Sequence, residues 1–361
     1  MTKPQLIDSA FNAAATSSNV NADELDWTAI ETITVSNDRL AIEVVANIVA
    51  ELGLTTESVN KYSVAECVQH LKIRPAYRKL VSRWITELRE LEYFPTGDRP
   101  RRPPEPPTGD ARVPEMVRIC MDIVLGRRHI LEFIFGTARP AWFNAYTPEA
   151  YDADPVSIYL HEITKSVVAT RLAATDANTT LRILEVGAGM GGLTAQILPL
   201  LDGERSYEYV FTDISKALLH QGSQRFSAMG NIQYLAYDIN KCPRDCGIAG
   251  RFDLVLAYDV LHCAKNLQAT VTHLGELLEE DGWLVNEQLI ENRASHMLIP
   301  GLMPGFTDFE DDRIDSFKTL LPEVKWFEKL NGAGLSRARV FPEEATRKKI
   351  LGHGVIIAGR S

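Results

Sequence analysis

Two textures divide the chain. Up to about residue 174 the apolar positions recur at intervals of three and four, the period of helices packed on one face. Leu40, Ile42, Val45, Ala46, Ile48 and Val49 fall on such a face, and Gly53 offers a stop. Ser63 with Glu66 three residues on matches a capping box, opening a helix that should end near Arg74-Pro75. Tyr77, Leu80, Val81, Trp84, Ile85 and Leu88 draw the clearest stripe. Met116, Ile119, Cys120, Ile123 and Val124 draw another between about 114 and 135, and 156–174 reads as a last helix. Residues 1–24 are small and polar and read as a loose N-terminus. The run TGDRPRRPPEPPTG at 96–109 has the proline and glycine density of a linker or exposed loop, and 136–156 looks irregular.

Beyond that point short apolar runs alternate with helical stretches. Strands are expected at 182–187, 207–212, 232–236, 252–257 and 283–290, with helices at 191–201, 215–228 and 266–280. This β-α-β rhythm predicts a doubly wound parallel sheet. An insert at about 292–316 precedes a helix near 317–331, and 335–341 and 353–359 read as two more strands in antiparallel pairing. The expected architecture is α/β and Rossmann-like, with a seven-stranded, mostly parallel sheet over 156–361. A mainly helical N-terminal domain over 25–155 precedes it.

Composition narrows the function classes. With 38 basic and 48 acidic residues the formal charge is -10, so long-range attraction to nucleic acid or an anionic membrane is not expected. The early helices carry no sustained basic stripe, which sets aside a winged-helix DNA reader. Arg99, Arg101 and Arg102 sit among prolines and read as solvated linker. No apolar run approaches 18 residues and the N-terminus lacks a signal-peptide core, so a cytoplasmic protein without a membrane span is expected. Five cysteines suggest no disulfide framework. Cys242 and Cys246 lack a second pair at zinc-ligand spacing, so they read as structural thiols and no metal is expected.

Candidate chemistry concentrates in LRILEVGAGMGGLT, residues 181–194. Gly187, Gly189 and Gly191 can turn tightly from a buried strand into a helix and aim amide N–H groups at a ligand. Gly187, Gly189 and Gly192 also meet the dinucleotide spacing G-x-G-x-x-G, which keeps a nicotinamide-dependent oxidoreductase open. Glu185 argues against it. A carboxylate there suits a pyrophosphate poorly, and suits organising the loop or meeting a cationic amino-acid ligand through water. Asp213 lies 22 residues beyond Gly191, where an acid can accept both ribose hydroxyls of an adenosine. Asp238 ends the third strand, where it can accept from an adenine amine while Ile239 packs on the ring. Each Asp alone could equally be a helix cap or solvated turn.

The stretches E-V-G-A-G-M-G-G-L-T, F-T-D-I-S, Y-D-I-N and Y-D-V-L-H-C-A-K-N-L together resemble class I S-adenosylmethionine-dependent methyltransferases. More narrowly the chain resembles the methyltransferase domains of polyketide synthases, from about residue 60 to the end, with the N-terminal part matching their helical lid less sharply. In that family a carrier-bound acyl thioester is methylated, commonly at an activated carbon and in some lineages at oxygen. The resemblance implies S-adenosylmethionine as cofactor, held by Glu185, Gly187, Ala188, Gly189, Gly191, Asp213, Ile214 and Tyr258, with Asp238 and Ile239 near adenine. It implies an acyl carrier protein or a small molecule as the acceptor's source, whether the chain stands alone or belongs to a larger synthase.

The acceptor needs activation, because a β-ketoacyl thioester must lose an α-proton to become a nucleophile. A histidine suits this task, with a reference pKa of ~6.5. His262 follows the fourth strand, where it could also be a structural helix-start residue; the resemblance places the catalytic histidine in this V-L-H stretch. Glu287, preceded by Asn286 late on the fifth strand, is its expected carboxylate partner, and Glu291 is the alternative. A salt bridge from Glu287 to an arginine is the structural explanation to weigh against that role. The segment IPGLMPGFTDFEDD, 299–312, resembles the family's acceptor loop but departs from it at Pro300 and Phe306-Thr307. Met303 and Phe306 could wall an acyl pocket or be core, and Glu310-Asp311-Asp312 reads as a solvated face. Tyr146, Tyr151 and Tyr159 could reach over the cofactor. Arg127-Arg128 and Arg347, Lys348 and Lys349 are basic clusters open to an acidic carrier. An O-methyltransferase and a non-catalytic scaffold complete the alternatives.

Overall fold

The computed structural model describes residues 3–93, 108–134, 136, 140, 153–176, 178–201, 203 and 206–361. Residues 96–107 of the proline-rich run, with Arg99, Arg101 and Arg102, lie outside the described residues, as do Tyr146 and Tyr151. The described helices of the first third are α1 (Lys3–Ala22), α2 (Trp27–Glu51), α3 (Thr56–Lys61), α4 (Val64–Gln69), α5 (Arg78–Glu90), α6 (Val113–Val124) and α7 (Ile130–Ile134). There follow α8 (Pro155–Ala174), β1 (Leu181–Val186), α9 (Gly192–Leu201), β2 (Tyr207–Asp213), α10 (Lys216–Arg225), β3 (Ile232–Ala236), β4 (Phe252–Tyr258) and α11 (Leu267–Glu276). The chain closes with β5 (Leu278–Leu289), α12 (Glu323–Gly332), β6 (Arg337–Phe341), α13 (Ala345–Leu351) and β7 (His353–Gly359). Two compact units emerge: Met1–Trp27 with Thr147–Glu291 and Leu320–Ser361, and Thr28–Tyr146 with Asn292–Thr319.

The first unit holds the sheet, a Rossmann-like α/β layer of seven strands in the order β3-β2-β1-β4-β5-β7-β6. β7 runs antiparallel to β5 and β6, and the other pairings are parallel. The central strands are buried on both faces, as in Leu254–Ala257 and Val355–Ala358, which is why they read as continuous apolar runs. Strand order reverses between β1 and β4, and open sheets of this kind receive ligands outside the strand ends at such a switch point.

The residues expected as a loose N-terminus form α1 instead. Leu6, Ile7, Ala10, Phe11 and Ala14 are buried at helical spacing, and α1 packs along α8. Ala10 and Ala14 have no exposed surface, so this helix approaches closely through small side chains that carry little hydrophobic signal. Ser18 Oγ and Tyr159 OH meet at 2.8 Å, which uses Tyr159 inside this contact.

Helix α8 carries a buried polar stripe, Ser157, His161, Thr164 and Arg171, that answers acids and hydroxyls of the sheet. Ser157 Oγ lies 3.2 Å from Tyr258 OH, and His161 Nδ1 donates to Glu287 Oε2 at 2.8 Å. Arg171 donates to Asp253 at 2.5 Å and to Asp281 at 3.0 Å. β5 starts at Leu278, five residues before the expected 283, with a register irregularity opposite Phe252–Leu254.

In the helical unit the expected capping box is present: Ser63 N donates to Glu66 Oε2 at 2.8 Å, and Glu66 N to Ser63 Oγ at 3.2 Å. The insert following β5 belongs to this unit rather than to the α/β layer. Trp84 Nε1 donates to Met297 O at 2.9 Å, and Ser295 Oγ donates to Asp38 at 2.6 Å. Phe306 and Phe309 are buried, so Phe306 is a core residue of this unit. The acidic run is not uniformly solvated: Asp311 pairs at 2.7 Å with Arg313, whose guanidinium sits over the Phe309 ring.

Candidate active site

The glycine loop leaves β1 and enters α9 with three left-handed residues, Gly187, Gly189 and Gly191, at φ of 63°, 57° and 78°. Side chains are strained there, and space excludes them twice over. A Cβ on Gly187 would stand 2.3 Å from Val260, and one on Gly191 2.5 Å from Phe226. A Cβ on Gly189 would meet nothing nearer than a backbone oxygen at 4.0 Å, so the middle of the bend borders open space. The Val260 contact also brings the V-L-H stretch of residues 260–262 against the loop.

Glu185 lies beneath this bend and is essentially unexposed. Its Oε2 accepts from Thr194 Oγ1 at 2.5 Å and from Tyr209 OH at 2.6 Å, tying the end of β1 to the first turn of α9. Burial lifts its carboxyl to about 7, against the downward pull of those two hydroxyls and of His161.

Asp213 ends β2 beside the loop. Its two oxygens accept from Gly189 N at 3.0 Å and Ser215 N at 2.7 Å, and burial raises its pKa against those two bonds. A carboxylate has about four acceptor sites, so these bonds leave it lone pairs for a sugar diol. Ile214 is 69 % exposed, an apolar surface next to Asp213. Asp238 Oδ1 accepts from Asn240 N at 3.0 Å in the turn after β3, and Ile239 is buried beside it. Asp259 follows Tyr258 at a φ of 45°, with Oδ1 accepting from Leu289 N at 2.9 Å and lying 3.3 Å from His353 Nε2. Burial pushes its carboxyl up, but His353 and His262 outweigh it and hold the pKa below the usual value. Acids at three strand ends around an open bend suit a ribose, an adenine amine and a cationic donor; the residues present fit an adenosyl sulfonium.

His262 is buried in the turn after β4. The expected partnership with Glu287 is not formed. Successive strand residues face opposite sides of a sheet. Glu287, with no exposed surface, points to α8 and pairs with His161, while its Oε1 has no hydrogen-bond partner. Gln288 points the other way, with Nε2 2.9 Å from His262 Nδ1. Tyr258 lies between His161, edge-on at 4.9 Å, and His353, stacked at 6.2 Å. Glu291 donates its backbone N–H to Gly352 O at 3.3 Å, where β5 has ended. The sequence reading missed His161 and Gln288. The polar stripe of α8 marks the first, and counting faces along β5 marks the second.

Residues 184–284 match a family model described as "Methyltransferase domain". Polyketide synthase ThaG of Burkholderia thailandensis is 35% identical over 216 residues, which are 58% of this chain and 4% of that protein. The chain thus spans a small fraction of that relative's length. A crystal structure titled as CurJ carbon methyltransferase superposes with a TM-score of 0.76 at 21% identity, covering 99% of this chain and 98% of the other. A trans-methyltransferase CalH in complex with SAH superposes at 0.62 and 22% identity, covering 93% and 92%. These two likenesses are of fold.

Proposed function

The chain carries a class I S-adenosylmethionine-dependent methyltransferase domain closely resembling those of polyketide synthases, and we propose that it methylates the α-carbon of a carrier-bound β-ketoacyl thioester. S-adenosylmethionine supplies the methyl as the electrophilic carbon of a sulfonium. The amides of the Gly187–Gly191 bend would border its adenosyl part, Asp213 would accept from the ribose hydroxyls, and Asp238 with Ile239 and Ile214 would take the adenine. Ala188 and Tyr258 complete that wall, and Glu185 holds the loop in shape from below.

The reading rests on one observation. His262 is buried in a turn whose Val260 packs against Gly187, so a proton acceptor stands beside the donor loop. His262 would take the α-proton, leaving the acceptor as an enolate; the sulfonium would supply its methyl to that carbon and depart as S-adenosylhomocysteine. The full-length fold likeness to a carbon methyltransferase supports carbon as the acceptor atom. Relationship to polyketide synthases supports an acyl carrier protein as the partner that delivers it. No described helix is long and apolar enough to cross a membrane.

The test is incubation of the full chain with methyl-labelled S-adenosylmethionine and a β-ketoacyl thioester on a carrier protein. Mass spectrometry and carbon NMR then locate the label. A methyl on the α-carbon is the expected product. A methyl on oxygen would replace this reading with O-methyl transfer. Failure to form S-adenosylhomocysteine with any acyl acceptor would overturn it.

A further inference from the structure

We propose that Gln288 is the positioning residue of His262, an uncharged partner whose amide sets which ring nitrogen carries the proton. The proposal deepens the reading of His262 as base and rests on it. Gln288 has no exposed surface, and its amide nitrogen holds two hydrogens. One is directed at Leu289 O, 3.3 Å away, and the other at His262 Nδ1, 2.9 Å away. Turning the amide over would set Oε1 against the Leu289 carbonyl oxygen, so the donor orientation is the one its surroundings favour. With Nδ1 accepting, the neutral ring carries its proton on Nε2.

That tautomer cannot take a proton at Nε2. To act as base there, His262 must first move its own proton to Nδ1, and Gln288 must turn Oε1 to accept it. The Oε1 atom is buried with no hydrogen-bond partner, so the turn breaks no bond of its own, but it gives up the bond to Leu289 O and leaves the donor arrangement as the resting one. Gln288 thus selects between a resting donor form and a proton-accepting form of the same histidine. In neither does it bring a negative charge to Nδ1.

The charge felt by His262 comes from other elements. Asp259 at the end of β4 interacts with it, and Asp259 is itself shared with His353 on β7. Glu287 is adjacent in sequence but engages His161 on the other face. A carboxylate at 288 would add a charge in direct contact, stabilise the imidazolium and lock the Nδ1–H tautomer.

Two measurements test this. The first is nitrogen NMR of the eight histidines in the 15N-histidine-labelled full chain without acceptor, with His262→Asn to assign the signal. In the native protein His262 should carry its proton on Nε2, and in Gln288→Glu on Nδ1. This readout needs no turnover, so it stands or falls apart from the choice of acceptor. The second is the pH profile of kcat/KM. Protonated His262 is inactive, so Gln288→Glu should move the acid limb up by about one unit or more. Gln288→Met should lower kcat while leaving donor affinity within about twofold. A native His262 protonated on Nδ1, or an acid limb unmoved in a folded, donor-binding Gln288→Glu variant, would overturn the proposal.

Discussion

On the proposed reading His262 and Asp213 divide the work, and their substitutions should separate. His262→Ala removes a proton acceptor and should cut turnover about 10²–10⁴-fold, with donor affinity by calorimetry nearly unchanged. Asp213→Ala removes a charged acceptor that also takes the Gly189 N–H, so donor affinity should fall by an order of magnitude or more. Glu185 makes a prediction in pH. Its folded pKa of about 7 lies above the usual glutamate value of about 4.5. Between those values the folded chain keeps a proton that the unfolded chain has released. Stability therefore falls as pH rises through that window and levels off above it, by on the order of 3 kcal/mol from this group. Urea titrations at pH 5 and pH 8 should show the loss, and Glu185→Gln should flatten it.

At the scale of elements, α8 is fastened to the sheet by charge as much as by apolar contact. Arg171→Leu leaves the carboxylate of Asp253 without its buried counter-ion, which should cost about 3–5 kcal/mol in urea unfolding. The strands and the glycine bend were legible because buried parallel strands write themselves as apolar runs and left-handed turns as glycines. Glu287 was legible as a buried acid but not in its partner, because the period of two puts neighbours 287 and 288 on opposite faces. The helix α1 was missed because alanines pack without standing out from a polar background. His161 was missed because the polar stripe of α8 does not say which acid of the sheet will face it.

For the whole molecule, the boundary between units does not follow chain order. Residues 1–24, expected as a loose N-terminus apart from both domains, lie within Met1–Trp27, which groups with the sheet. Deleting residues 1–24 should therefore uncover the partners of Leu6, Ile7 and Phe11, each worth about 1.5–3 kcal/mol. The melting temperature should drop by roughly 10 °C in a thermal scan, where a dispensable tail would leave it unchanged. The insert Asn292–Thr319, resembling an acceptor loop, returns the chain to the helical unit, so that unit is built from two separate stretches.

The pairing of α1 with α8 also has a cost in time. Ser18 meets a hydroxyl 141 residues further along. On a ribosome adding about 5–20 residues per second, α1 would wait roughly 10–30 s before its partner had even been made. During that interval a helix with Phe11 and Leu6 on one side has only itself, a chaperone or another nascent chain to lean on. The helix is thus made well before the one it rests on, and the yield of active protein should be most sensitive to temperature and crowding while it waits.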